Sequence, residues 1–497
     1  MKTGNFLLIG LGISSNGYAV QKTDAVNLAR PNIIIVMPDD LGYGDYACLG
    51  NPITHTPVVD SFKKESLLFT QFHVSPTSSP TRASLMSGRH EFKNGVTHTI
   101  FERERMSLET YTLPQMLKSV GYTTGIFGKW HLGDEEAYRP ESRGFDEFYS
   151  FGGGGIGQTF PGSCGDAPEN SNINPALWHN GKWEKNTGYC TDLFFAQATK
   201  WMDSKRKAKQ PFFAYIPLNV AHAPLVVPED YYQKYLQKPE LKKEVAKFFG
   251  MIENVDTDFG VLLKKLKEWG IEENTIVIYI GTDNGGTAGV KIFNAGMRGG
   301  KGSPYQGGTR SPLFVRWPAA GISAGTECDA LSSAIDIFPT LAAITGAKLS
   351  DKVKQQVEGK NLFPLFENPK TVWPDRILVH HVGRWENFTD PSLSKYTKCA
   401  IQNSQFTLVN NKELYNLQVD PGEKTNVINK YPEVVDKLRT YYDHWWKEVL
   451  HLLVNENAVG PKMNPMKVLY WKQFGGGPDS TMLKKMDPEN NKNQKIH

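Results

Sequence analysis

"PNIIIVMPDD" (residues 31–40) places Ile33, Ile34, Ile35, Val36 and Met37 in one unbroken run after a proline and ends it in two carboxylates. Continuous rather than alternating apolarity suits a strand buried on both faces. Three more runs share the form: "YTTGIFGKWH" (122–131), "PFFAYIPLNVAHAP" (211–224) and "TIVIYIGTDNGG" (275–286). Between them lie helical patterns, among them "LPQMLKSV" (113–120), "FFAQATKWMDSKRK" (194–207) and "MIENVDTDFGVLLKKLKEWG" (251–270). Strands alternating with helices predict an α/β fold, a large, mainly parallel sheet sandwiched by helices.

In such sheets ligands bind beyond the carboxyl ends of the strands. Each of the four runs delivers polar residues there: Asp39 and Asp40, Lys129 and His131, His222, then Asp283 and Asn284. One rim is predicted to collect them. Asp39, Asp40, Asp283 and Asn284 offer only oxygen ligands, a set that suits a hard cation, calcium before magnesium, and suits zinc poorly.

After about residue 350 the texture changes. "ILVHHV" (377–382), "KCAIQNSQFTLVNN" (398–411) and "ELYNLQ" (413–418) are short strand-like pieces, and "YPEVVDKLRTYYDHWWKEVL" (431–450) is helical. They predict a smaller C-terminal domain of antiparallel sheet plus helix over 356–474, after a catalytic domain at 20–355 and before a polar tail at 475–497. Residues 152–189 read as a Gly- and Asn-rich insertion near the rim, carrying Trp178 and Trp183.

With 497 residues, 39% of them hydrophobic, the chain can bury a substantial core, and its 56 basic residues nearly match its 52 acidic ones. No block of like charge is long enough to hold nucleic acid. At the N-terminus Lys2 precedes an apolar stretch at 6–13, and Gly17, Tyr18 and Ala19 form a small-x-small site. Residues 1–19 therefore resemble a secretory signal peptide, with periplasmic or secreted localisation expected. No cysteine follows that run and no other segment is apolar enough to span a bilayer, so no membrane anchor is expected. Of the five cysteines, Cys164 and Cys190 flank the insertion and either pair or remain thiols.

"VSPTSSPTRASLMSGRH" (74–90) holds the remaining signal. Pro80 suits the first turn of a helix and Ser79 the cap before it, which sets Ser78 just ahead of a helix N-terminus. Backbone donors and the helix dipole favour an anion there, and Arg82 adds a fork of donors.

Here the chain resembles the formylglycine-dependent sulfatases of the alkaline-phosphatase-like superfamily. "SSPTRASLMSG" (78–88) is similar to the family signature, in its bacterial Ser-type form. "PNIIIVMPDDLGYGD" (31–45), "GYTTGIFGKWHLG" (121–133), "HAP" (222–224), "GTDNGG" (281–286), "RGGKGSPYQGGTRSPLFVRWP" (298–318) and "ELYNLQVDPGEKTNV" (413–427) resemble further family segments. Gln306 replaces a frequent Glu, and Thr81 a frequent Ser. The resemblance implies that Ser78 is oxidised to formylglycine by a Ser-type sulfatase-maturating enzyme before export. The hydrated aldehyde would then attack sulfur against a calcium ion held by Asp39, Asp40, Asp283, Asn284 and residue 78.

It further implies that Lys129 and Lys301 neutralise the sulfuryl oxygens, Arg82 holds the hydrated formylglycine and the anion nearby, His222 protonates the leaving oxygen with Lys301 as its assistant, and His131 hydrogen-bonds the diol and is the base that releases sulfate. The expected substrate is a sulfated carbohydrate, with His98, Trp178, Arg384 and Trp385 as candidate contacts. Trp178 and Trp183 suit stacking on a sugar or burial in the core equally. The alternatives are a phosphomonoester or phosphonate hydrolase of the same superfamily, or a non-catalytic sulfated-glycan binding protein if Ser78 is unmodified.

Overall fold

In the computed structural model, which describes residues 30–158, 165–322, 324–478, 480 and 483, the first apolar run is strand β1 (Asn32–Met37). Its alternate side chains enter opposite cores. Ile33, Ile35 and Met37 pack with Phe69, Leu85 and Leu117, whereas Ile34 and Val36 pack with Phe194, Phe248 and Phe259. This two-sided burial is why the run tolerates no polar residue, and each buried isoleucine contributes roughly 1.5–3 kcal/mol.

Strands β2 (Leu67–His73), β3 (Thr123–Lys129), β4 (Glu147–Phe151), β5 (Ala176–His179), β6 (Lys182–Lys185), β7 (Phe212–Pro217), β8 (Thr275–Ile280), β9 (Arg310–Arg316), β10 (Thr326–Cys328) and β11 (Ser332–Ser333) complete an 11-stranded sheet. Its order is β10-β2-β9-β8-β1-β7-β3-β4-β5-β6, with β11 also on β2. The centre, β8-β1-β7-β3-β4, is parallel. Strand β9 runs antiparallel between β2 and β8, and β5 and β6 run antiparallel at the far edge. Helices Cys190–Lys207 and Lys243–Glu268 cover one face; Ser78–Ser87, Leu113–Ser119 and Ile337–Thr345 cover the other. The predicted α/β sandwich is what forms.

Toward the C-terminus, β12 (Leu378–His381), β13 (Cys399–Gln402), β14 (Phe406–Val409) and β15 (Glu413–Asn416) make a separate four-stranded antiparallel sheet. Helix Pro432–Leu450 packs on it, setting Leu438, Tyr442 and Val449 against Ile401 and Leu408. The 1–19 segment, Cys164 and most of the 475–497 tail lie outside the described residues. Cys190 is a buried free thiol. No described helix is long and apolar enough to cross a membrane.

Two local expectations are corrected. The helix after residue 74 begins at Ser78 with Thr77 as its N-cap, so Ser78 lies inside the first turn rather than ahead of it. Ser, Thr and Asn compete closely for caps, and the crowded "PTSSPT" offered several. The stretch read as a Gly- and Asn-rich insertion at 152–189 is in part sheet, because its β5 and β6 extend the main sheet.

Candidate active site

The parallel strands β1, β3, β7 and β8 end on one side, and their following residues meet there. One oxygen from each of Asp39, Asp40 and Asp283 lies within 4.8 Å of the others. It is the one such acidic or His/Cys group of three among the described residues. Asn284 donates its amide to Asp40 Oδ1 at 2.9 Å, and its own Oδ1 accepts the Ser78 hydroxyl at 2.8 Å. Ser78 is 1% exposed, held by a helix whose every residue is buried.

Three cations answer the three carboxylates. Arg82 donates from Nε and Nη2 to Asp283 Oδ2 (3.0 and 2.7 Å) and from Nη1 to the Lys129 carbonyl (3.1 Å). Lys129 Nζ bonds Asp39 Oδ2 and Lys301 Nζ bonds Asp40 Oδ1, each at 2.5 Å. Burial, and then Asp283, push the Asp39 carboxyl well above its ordinary range. Asp40 is held below that range despite burial, through Lys301 and then His222. Asp283 is also held low against burial, first by Arg82 and then by Lys129. Asp39 Oδ1 is buried with no hydrogen-bond partner, an unused lone pair within an all-oxygen set. That set fits a hard divalent cation.

The two histidines are held by backbone approach. A Cβ on Gly154 would lie 3.1 Å from His131 Nε2, and one on Gly155 would lie 2.8 Å from His222 Nδ1. Glycine lets the chain pass so near, which accounts for Gly154 and Gly155 within the "GGGG" at 152–155. Asp40 and His131 have φ of 60° and 61°, a left-handed strain often found where side chains are aimed at a site. His131 Nε2 lies 2.8 Å from the Thr99 carbonyl and 3.3 Å from Glu104 Oε2. A carbonyl only accepts, so the proton is on Nε2. Nδ1, buried and unpartnered, is left as the basic nitrogen. Burial, then Lys129, hold this ring well below its ordinary pKa. His222 Nε2 lies 3.8 Å from Asp40 Oδ2, and burial, then Lys301, push its pKa down to about 3.

Glu104 and Gln158 escaped the sequence reading. Buried Glu104 backs His131, and Gln158 Nε2 lies 3.4 Å from His222 Nε2. The "ERER" at 102–105 looks like solvated charge and gives no signal of a buried carboxylate.

The predicted sugar contacts divide. Arg384 is exposed and Trp385 half-buried near the rim, with Arg384 Nη2 donating to Thr99 Oγ1 at 2.9 Å. His98 is buried, its Nδ1 accepting the Thr99 N–H at 2.8 Å, so it presents no surface to a sugar. Trp178 on β5 is 4% exposed, edge-on to buried Trp183 with centroids 5.7 Å apart. Both tryptophans belong to the core, because β5 and β6 turn them inward. Trp178→Ala is expected to cost about 3–5 kcal/mol in denaturant unfolding while leaving the KM of the folded enzyme unchanged.

A strand-end rim that presents a buried hydroxyl at a helix start, three carboxylates, three cations and two imidazoles defines a hydrolase of anionic esters. A family model described as sulfatase matches residues 31–347, and one described as N-sulphoglucosamine sulphohydrolase, C-terminal, matches 301–446. The chain belongs to the sulfatase family and is a sulfuric ester hydrolase of alkaline-phosphatase-like fold. Arylsulfatase A of Homo sapiens is 29% identical over 453 residues, covering 82% of this chain and 86% of its own. N-acetylgalactosamine-6-sulfatase of Homo sapiens is 27% identical over 507 residues, covering 90% of each. The crystal structure of Ps i-CgsB in complex with k-i-k-neocarrahexaose has a TM-score of 0.73 at 28% identity, over 90% of this chain and 97% of that one.

Proposed function

We propose that this chain is an exported, calcium-dependent sulfatase that cuts sulfate esters on a sulfated carbohydrate, with Ser78 oxidised to formylglycine by a Ser-type maturating enzyme. The observation that carries the reading is the position of Ser78, whose hydroxyl meets Asn284 within the oxygen set of Asp39, Asp40 and Asp283. That position supports a residue that both carries the nucleophile and completes a cation site. Formylglycine and calcium, held by these five residues, would supply an activated oxygen nucleophile and charge stabilisation at the ester.

The chain's own groups supply the rest. Arg82, fixed by Asp283 and the Lys129 carbonyl, presents a rigid donor fork beside Ser78. Asp39 and Asp40 would hold the cation, and Lys129 and Lys301, which bond those two carboxylates, would neutralise the negative charge on the sulfuryl group. His131 Nδ1 takes a proton while Nε2 keeps its bond to Thr99, with Glu104 behind it. His222 gives a proton to the departing alcohol. Burial and Lys301 favour its neutral ring, so the anionic ester provides the charge that makes the protonated form accessible, and Lys301 assists.

The wild-type protein, produced with a Ser-type maturating enzyme, should release sulfate from sulfated oligosaccharides. A calcium chelator should lower that release by about 100-fold or more, and added calcium should restore it better than magnesium. Release of phosphate but not sulfate would overturn the reading in favour of a phosphate-ester hydrolase. Sugar binding without release by a protein carrying unmodified Ser78 would favour a glycan-binding protein.

A further inference from the structure

Arg103, 2% exposed, clamps a loop that reaches the site from the C-terminal sheet. Its Nε donates to Thr97 Oγ1 at 2.9 Å and lies 3.1 Å from Glu456 Oε2. Nη1 donates to the Trp385 carbonyl (2.7 Å) and to Asn387 Oδ1 (3.1 Å), and Nη2 donates to the Gly383 carbonyl. Buried Glu456 also accepts the Trp385 indole N–H at 2.7 Å, while the Trp385 ring lies 4.8 Å from the Arg103 guanidinium carbon. The carbonyls on both sides of Arg384 are therefore held by one buried guanidinium, which a buried carboxylate neutralises.

Arg384 itself is differently placed from the other cations of the rim. Lys129, Lys301 and Arg82 each have a carboxylate partner, but no carboxylate lies in ion-pair distance of Arg384 among the described residues. It donates to the hydroxyl of Thr99, whose carbonyl receives His131, and Asp40 is the acidic group whose charge reaches it. An exposed guanidinium without a counterion, fixed beside a reaction site, offers a planar fork for an oxyanion. The scissile sulfate has its own cations deeper in the site, so the group that meets Arg384 is another one.

We infer that Arg384, positioned by the Arg103–Glu456 clamp, selects substrates whose sugar carries a second anionic group, sulfate or carboxylate, near the sulfate ester that is cut. This rests on the sulfate-ester reading above. Arg384 is the contact residue; Arg103 and Glu456 are positioning residues.

The test compares kcat/KM of the matured protein for a monosulfated monosaccharide, the same sugar with a second sulfate, and the monosulfated sugar joined to a uronic acid. Wild type is expected to prefer a doubly charged substrate by about 10- to 100-fold, the strength of one charge-assisted bond. The favoured compound tells sulfate from carboxylate. Arg384→Ala should bring the ratio close to one. Glu456→Gln, similar in shape but uncharged, should lower the ratio through KM; a loss of general integrity would depress all substrates together and leave the ratio intact. A wild-type ratio near one for both compounds, or a ratio that survives Arg384→Ala, overturns the inference while the sulfatase reading stands. Failure to release sulfate from any of the three sinks both.

Discussion

Ser78→Ala is expected to abolish sulfate release, a fall of about 10⁴-fold or more, while the protein remains folded. A methyl group can neither be oxidised to an aldehyde nor attack sulfur, and no neighbouring hydroxyl is placed to substitute. Ser79 Oγ is buried without a hydrogen-bond partner, and Thr81 Oγ1 is committed to the backbone of Ser75. The structural loss is small, since the Ser78 side chain makes one hydrogen bond, to Asn284, worth about 0.5–1.5 kcal/mol. Thermal unfolding should therefore move little while turnover disappears. The companion measurement is the mass of the tryptic peptide carrying residue 78 from active wild-type protein, which should be lighter than the encoded peptide by one hydrogen molecule. Turnover by the Ala variant, or an unmodified Ser78 in fully active protein, would sink the proposed chemistry.

Asp283→Ala should damage both stability and activity. Arg82 is buried and sends two donors to Asp283 Oδ2. Removing that oxygen leaves a guanidinium in the core with Asp39, 3.8 Å away, as its anionic neighbour. Stripping one partner from a buried pair costs about 3–5 kcal/mol, with the Asp39 contact favouring the lower end. The cation site loses one of its three carboxylates at the same time, so calcium affinity measured by titration should fall together with kcat/KM. Asp283→Asn separates the two effects: it retains an oxygen for Arg82 and should recover part of the stability, but the missing charge should still weaken the cation. Wild-type calcium affinity in either variant would remove Asp283 from the ligand set.

That these residues meet on one rim was legible because the fold class dictates it. Once β1, β3, β7 and β8 are read as neighbouring parallel strands, Asp39, Lys129, His131, His222 and Asp283 have to emerge on one side. Continuous apolar runs identified those strands, since both of their faces are buried. What stayed hidden has a common cause in distance and shortness. Glu104 becomes a partner of His131 only through tertiary contact, and Arg103 meets Glu456 from the far end of the chain. Strands β5 and β6 span Ala176–His179 and Lys182–Lys185, too short for periodicity to show against a Gly- and Asn-rich background, so the choice for Trp178 between sugar stacking and core burial stayed open. The helix start was misplaced because neighbouring Ser and Thr residues have nearly equal capping preference, and packing made the choice.

Under the proposed formylglycine chemistry, the burial of Ser78 would set a schedule for its modification. In the finished fold no enzyme can grip an extended segment around that residue, because the whole helix Ser78–Ser87 is enclosed. The strand at the centre of the sheet cannot close early, since Ile33 pairs with Phe213 on one side and Ile276 on the other. Contacts so distant in sequence form late, after much of the chain exists. A nascent or unfolded chain would therefore keep residue 78 open to the proposed maturating enzyme for as long as β7 and β8 are unpaired, and folding would then end that access.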